Sequence, residues 1–300
     1  MRISRLLGLL LLMTICLMAE GKNKAKCPTP ESFKPIADSI LHEGYRLYSY
    51  EKMAWVGSDS MFAHCSHAKE VNAQAYLEDA NNKYYIFGNL EQAKIYFVSI
   101  FNKSNNLIYA PWKSTWNDMD RAAGQYEMDL LRYRNTAIRK VLDACGDSLY
   151  KANGEEGGLN FDVKYIGPNL TRVYILQGTS KSGVLPMGND CMVELDKDFK
   201  VLKFKRFHHS YLPMKMQKGV TNFMHSHTQD NPYITSTDVC NALLYARDLF
   251  RTKEFLVMGT AFQSGFYMKF NMIKGELTGE NIETLEKDSE KKGSPAKPCD

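Results

Sequence analysis

His225 and His227 stand two residues apart near the end of an apolar run, and Asp238 follows eleven residues after the second histidine. The pattern from Gly219 to His227 predicts a strand. On a strand, side chains two apart leave the same face, so both imidazoles can converge on one ion. Asp238 falls in the first turn of a helix predicted from about Ser236 to Phe250, whose Val239, Ala242, Leu243, Ala246 and Phe250 repeat at helical spacing. Two neutral imidazoles and one carboxylate are a common ligand set for catalytic zinc, with water in the fourth position. Each residue also has an ordinary explanation. Aspartate near a helix N-terminus is favoured by the helix dipole, and Thr235 or Ser236 would serve simply as a cap.

Other residue groups offer less. His208 and His209 follow a predicted hairpin strand, where one of an adjacent pair faces each side, and either could add a ligand or contact a substrate. Gly188-Asn189-Asp190 reads first as turn chemistry and second as a polar group at a site mouth. His64 and His67 are spaced three apart but lack a partner cluster nearby, and Trp112, Trp116 and Tyr126 suit packing better than ligand stacking. No phosphate-binding glycine loop, dinucleotide motif or nucleophile elbow occurs. Basic residues are dispersed, which argues against nucleic acid.

The run His225-Ser226-His227-Thr228-Gln229-Asp230-Asn231-Pro232-Tyr233-Ile234-Thr235-Ser236-Thr237-Asp238 resembles the signature of the JAMM, or MPN-type, metallo-isopeptidases: H-x-H, seven residues, Ser, two residues, Asp. Thr235 takes the serine position, with Ser236 beside it. The resemblance extends over about residues 119–275, where Arg172 to Gly178 is similar to the family's first core strand. It implies zinc held by His225, His227 and Asp238, hydrolysis of an amide or isopeptide bond, a protein or peptide as substrate or partner, and a Thr235 or Ser236 hydroxyl that steadies the tetrahedral intermediate. One departure is large. The family's general-base glutamate maps to about Thr171, beside Arg172, and no carboxylate stands there. Glu194 on the next hairpin is the nearest substitute, although an exposed hairpin glutamate is its ordinary reading. Two alternatives follow: a catalytically degenerate, non-enzymatic binding module of the same fold, or a structural zinc closed by a fourth ligand such as His208, His209 or Cys240.

The elements that must position these residues predict an α+β fold, a mixed JAMM/MPN-like sheet flanked by helices, preceded by an N-terminal α+β domain. Residues 28–115 would hold helices at Glu31 to Tyr48 and near Glu70 to Ala80, then strands at Lys83 to Phe87, Ala93 to Phe101 and Leu107 to Ala110. Residues 116–280 would form the metal-binding domain. It would open on a helix from about Met119 to Ala144, with Gly146 at its end, and a joint at residues 153–158. Strands would follow at Phe161 to Ile166, Arg172 to Gln177, Met192 to Leu195 and Val201 to Phe207, with Phe255 to Met258 and Phe266 to Asn271 closing the domain. The charged tail at 286–300 is expected to be disordered.

Arg2 and Arg5 before an apolar run from Leu6 to Met18, then Ala19, read as a signal peptide over residues 1–19. The run is too short to span a bilayer, and no later stretch replaces it, so the chain is expected to be exported and not transmembrane, periplasmic or extracellular. Cys16 offers lipid anchoring as the alternative to cleavage after Ala19, although Met13-Thr14-Ile15 lacks the small residue that route prefers. Lys and Arg total 38 against 34 Asp and Glu, which implies no electrostatic partner. Of seven cysteines, six would remain after cleavage, Cys27, Cys65, Cys145, Cys191, Cys240 and Cys299; an oxidising compartment could pair some of them, but their wide spacing does not fix the connectivity, and the lack of a C-x-x-C pair argues against a thiolate zinc site.

Overall fold

The computed structural model describes residues 24–104, 116–150, 158–217, 219–263 and 265–282. The expected signal peptide, the strand at Leu107 to Ala110, Trp112, most of the joint at 153–158, Cys299 and the charged tail lie outside them. The described chain is α+β, with two four-stranded antiparallel sheets, one four-stranded mixed sheet and a two-stranded ribbon. Among the described residues, no helix is long and apolar enough to cross a membrane.

The chain forms two compact units, interleaved along the sequence. The division does not follow the expected boundary near residue 115. The first unit takes residues up to 41, 221–234 and those from 252 onward; the second takes 42–220 and 235–251. Sheet pairing and core contacts, not chain order, set this division.

In the second unit, helix α1 (Pro30–His64), of which residues from 42 belong here, covers one face of a sheet of β1 (Ala73–Glu78), β2 (Asn82–Asn89), β3 (Lys94–Asn102) and β4 (Trp116–Ala122). Met53 and Met61 of the helix bury against Tyr85, Phe87, Phe97 and Phe101. This packing carries α1 sixteen residues past its expected end at Tyr48: Gly57 and the serines around it weaken the local helical signal, but the apolar face against the sheet outweighs propensity. The helix expected near Glu70 to Ala80 is instead a short 3-10 turn, Ala68–Glu70, followed by β1. Alanine favours helices, yet Ala73 and Ala75 are buried on one face of a strand in register with β2.

Helix α2 (Gln125–Tyr150) starts later than expected because residues from Met119 pair with β3 as part of β4. Its start is fixed by the Glu127 carboxylate, which accepts from the Gly124 amide at 2.8 Å. Tyr126, expected to serve packing, is exposed. The first half of α2 packs Met128 and Leu131 on the β1–β4 sheet, and its second half packs Ala137, Val141 and Leu149 on a sheet ordered β5-β6-β8-β9. That sheet comprises β5 (Leu159–Gly167), β6 (Leu170–Gln177), β8 (Cys191–Leu195) and β9 (Val201–Arg206). Beside it, β7 (Val184–Gly188) pairs with β10 (Tyr211–Lys215); Pro186 and Pro213 face each other in this ribbon and hide both strands from a propensity reading.

The first unit is a mixed sheet of β11 (Asn222–His227), β12 (Glu254–Gly259), β13 (Phe266–Asn271) and β14 (Glu276–Asn281), with β11 and β12 parallel and the rest antiparallel. A parallel pair requires a long connection. Here it contains α3 (Ser236–Asn241), which runs on through a π-helical segment, Ala242–Arg247, into the final turn α4 (Asp248–Phe250). Phe33, near the start of α1, packs edge-on to Phe266 and stacks on Tyr233.

Candidate metal centre

β11 delivers the histidine pair. Its alternation turns His225 and His227 to one face, with their Nε2 atoms 2.7 Å apart and their rings stacked at 4.7 Å. His227 is buried, and its Nδ1–H donates to the carbonyls of Asn231 at 2.9 Å and Tyr233 at 2.7 Å. This fixes the tautomer and leaves Nε2 with the lone pair that a metal requires. The loop that supplies those carbonyls lies tightly over β12: a Cβ on Gly259 would come within 2.5 Å of the Pro232 carbonyl, so this position excludes any larger residue. The amide and hydroxyl of Thr260 hold the His227 carbonyl at 3.0 and 2.8 Å. His225 packs against Phe255 at 5.1 Å. Two nitrogens on one tetrahedral zinc, with bonds of about 2.0–2.1 Å, stand roughly 3.3 Å apart, so the pair would have to part by about 0.6 Å to share an ion.

The second unit holds Asp238 in a ring of side chains. Thr235 caps α3: its hydroxyl accepts from the Asp238 amide at 3.1 Å, and Asp238 Oδ2 accepts from the Thr235 amide at 2.8 Å, a complete capping box. The ordinary role of this aspartate is therefore real. It uses only Oδ2; Oδ1 lies 3.5 Å from Nε2 of His208. His208 Nδ1 is 2.6 Å from Asp190 Oδ1. Thr237 donates its hydroxyl to the other Asp190 oxygen and meets the Thr235 hydroxyl at 2.8 Å, which closes the ring. Asp190 and Asp238 are each 1% exposed.

Turn geometry places Asp190. Gly188 and Asn189 both have positive φ, at 80° and 52°, and a Cβ on Gly188 would sit 2.1 Å from the Ser210 carbonyl. The Asn189 amide side chain is held by Gln177 at 2.8 Å. Burial alone would disfavour an imidazolium at His208, but the carboxylates of Asp190 and Asp238 outweigh it and raise the group to about 10. The ring is thus arranged to hold a cation.

Among the described residues, His225 and His227 of the first unit could each offer a ring nitrogen to a metal ion, and in the second unit His208 could offer a nitrogen and Asp238 a carboxylate oxygen. His209, next to His208, is exposed, and Cys240 is a fully buried thiol whose ionisation is strongly opposed by burial. Ser236 opens α3 without capping it; Thr235 does that. Glu194 is not part of the ring. It sits four residues beyond Asp190 along β8, roughly 13 Å by strand rise, and its carboxylate accepts from Arg172 Nε and Nη2 at 3.2 and 2.7 Å. Thr171, where the resemblance seeks a glutamate, is buried against the Tyr133 hydroxyl. His67 makes a local pair with Glu70 at 2.8 Å and stacks on Tyr96. Cys145, Cys191 and Cys240 are free thiols.

Asp190, His208 and Thr237 are the residues that sequence spacing did not assemble. A signal existed: Asp190 and His208 flank the β8–β9 hairpin, whose ends pair Cys191 with Arg206, so its register brings them together. No family model, no curated protein and no solved structure matches the chain.

Proposed function

We propose that this is an exported zinc-binding protein with a JAMM-like fold, in which His225, His227 and Asp238 hold one ion. The observation that carries the reading is the His225–His227 pair, with both Nε2 atoms turned to one point and the His227 tautomer fixed by two backbone carbonyls. The capped Asp238, eleven residues on, supplies a buried carboxylate oxygen beyond the one its cap consumes. The mixed sheet with a parallel β11–β12 pair and an intervening helix is in keeping with the resemblance. The apolar leader supports export. Zinc bound here would act as a Lewis acid on an amide carbonyl.

A second reading, the non-enzymatic binding module, is favoured by the state of the carboxylates. Thr171 stands at the expected glutamate position and the substitute, Glu194, is engaged by Arg172. General-base assistance typically contributes about 10²–10⁴-fold, so its loss would leave little hydrolysis. Elemental analysis of the purified protein tests the common core of both readings. About one zinc per chain, lost in His225→Ala and Asp238→Ala, is expected; a metal-free protein after zinc loading would reject it. Turnover of an isopeptide-linked substrate that vanishes with the metal would favour the hydrolase, and its absence in the zinc-loaded protein the binding module.

A further inference from the structure

Within the second unit, β9 is the outer strand of the β5-β6-β8-β9 sheet, and among the described residues no strand pairs with its outer side. None of its residues is buried, whereas the edge strand β1 of the other antiparallel sheet hides Ala73 and Ala75. Pairing with β8 sorts its side chains by face. Phe204 stands opposite Val193, on the face that packs against α2, while Lys203 and Lys205 stand opposite Glu194 and Met192 on the reverse face. Leu202 falls at a bulge opposite Leu195 and is 60% exposed; Phe204 is 37% exposed. The Phe207 amide donates to the Asp190 carbonyl at 3.0 Å on the β8 side, so strand alternation turns the backbone N–H and C=O of Phe204 outward. On the reverse face, the carboxylate opposite Lys203 is already drawn to Arg172, and Lys205 lies over the Phe207 ring. Lysine on an edge strand repels apolar and basic strands. The same two charges favour a strand that brings carboxylates to them.

We propose that β9 is a docking edge for an extended acidic segment of a partner protein, which extends the sheet with its acidic side chains on the Lys203 and Lys205 face and its apolar side chains beside Phe204. Main-chain hydrogen bonds to the outward groups of β9 supply affinity, and the alternation of acidic and apolar residues supplies register and specificity. The surface lies wholly within the second unit and needs no metal.

A fluorescently labelled, strand-length peptide of alternating glutamate and valine, titrated with the full chain and read by anisotropy, tests this. One control peptide carries lysine in place of glutamate, and another has the same glutamates and valines in two blocks. The alternating acidic peptide is expected to bind at least roughly tenfold more tightly than either control, and more weakly as salt is raised. Equal binding of the blocked peptide would reduce the effect to plain ionic attraction and overturn the proposal, as would no binding at all. Lys203→Glu combined with Lys205→Glu, both at exposed positions, is expected to lose roughly tenfold for the acidic peptide and to prefer the lysine peptide; an unchanged preference would overturn it. Phe204→Pro removes an outward N–H while sparing the ladder to β8, and is expected to abolish binding with both lysines in place. Should that variant fail to fold, the charge reversal alone decides. Sedimentation of the wild type that shows a dimer, lost on charge reversal, would give the edge to a second copy of the chain and overturn the proposal.

Discussion

The second unit buries two charged clusters that look alike in composition and differ in what they can exchange. In one, Asp162 on β5 is fully buried against the Arg46 guanidinium of α1, which also meets Glu43 at 2.9 Å; Lys164 reaches Glu43 at 2.6 Å, and Arg46 lies over the rings of Tyr50 and Tyr174. In the other, His208 lies between Asp190 and Asp238 with two threonine hydroxyls. A guanidinium keeps its charge at any accessible pH, so the first cluster balances itself permanently. An imidazole does not, and two carboxylates around it call for a cation that can come and go as a proton or a metal. Permanent balance marks a structural cluster; exchangeable balance marks a candidate site.

Each prediction breaks or sharpens that contrast. The largest effect falls on the permanent cluster: Asp162→Ala leaves Arg46 buried without its partner and is expected to cost about 3–5 kcal/mol in urea unfolding, equally with zinc or with chelator. A loss that depends on zinc would erase the distinction. Next, zinc at a thousand times its Kd should stabilise the wild type by about 4 kcal/mol, read as a Tm rise that chelation reverses. An unmoved Tm would show that the His208 ring holds nothing that folding depends on.

Glu51 sharpens the contrast through pH. Burial, and then the nearby Asp162 charge, push its carboxyl up to about 7, against opposing contributions from Arg134 and Asn160. The native state therefore binds more protons than the unfolded chain between about pH 4.5 and 7, and stability attributable to Glu51 falls as pH rises through that window. Glu51→Gln should flatten this slope and gain on the order of 1–3 kcal/mol at pH 8; a slope unchanged in the variant would assign it to other groups. Thr235→Ala removes half of the capping box and should cost about 0.5–2 kcal/mol in thermal unfolding. The smallest effect belongs to Glu194→Gln. Loss of one partly exposed pair with Arg172 should cost no more than about 1 kcal/mol and leave zinc affinity alone. Weakened zinc binding there would return Glu194 to the centre.

Legibility in the sequence followed the range of the interactions. The strands from Phe161 to Ile166 and from Arg172 to Gln177, the β8–β9 hairpin and the segment from Ser236 to Phe250 were readable because alternation, turn residues and helical spacing are local. The second half of α1 and the strand at Ala73–Glu78 were not, because Gly57 and the alanines point away from the outcome that packing against β2 and β3 imposes.

At the centre itself, the residues alone determined two things: His225 and His227 share a face because a strand has a period of two, and Asp238 returns to Thr235 because a capping box closes within one helical turn. The tertiary structure decided the rest. Glu194 is drawn to Arg172 by cross-strand pairing, while Asp190 and His208, eighteen residues apart, meet only because the hairpin closes and Gly188 and Asn189 turn the chain through positive φ. Backbone register and turn handedness act over distances that spacing along a chain does not encode, and they select which carboxylate faces the imidazole.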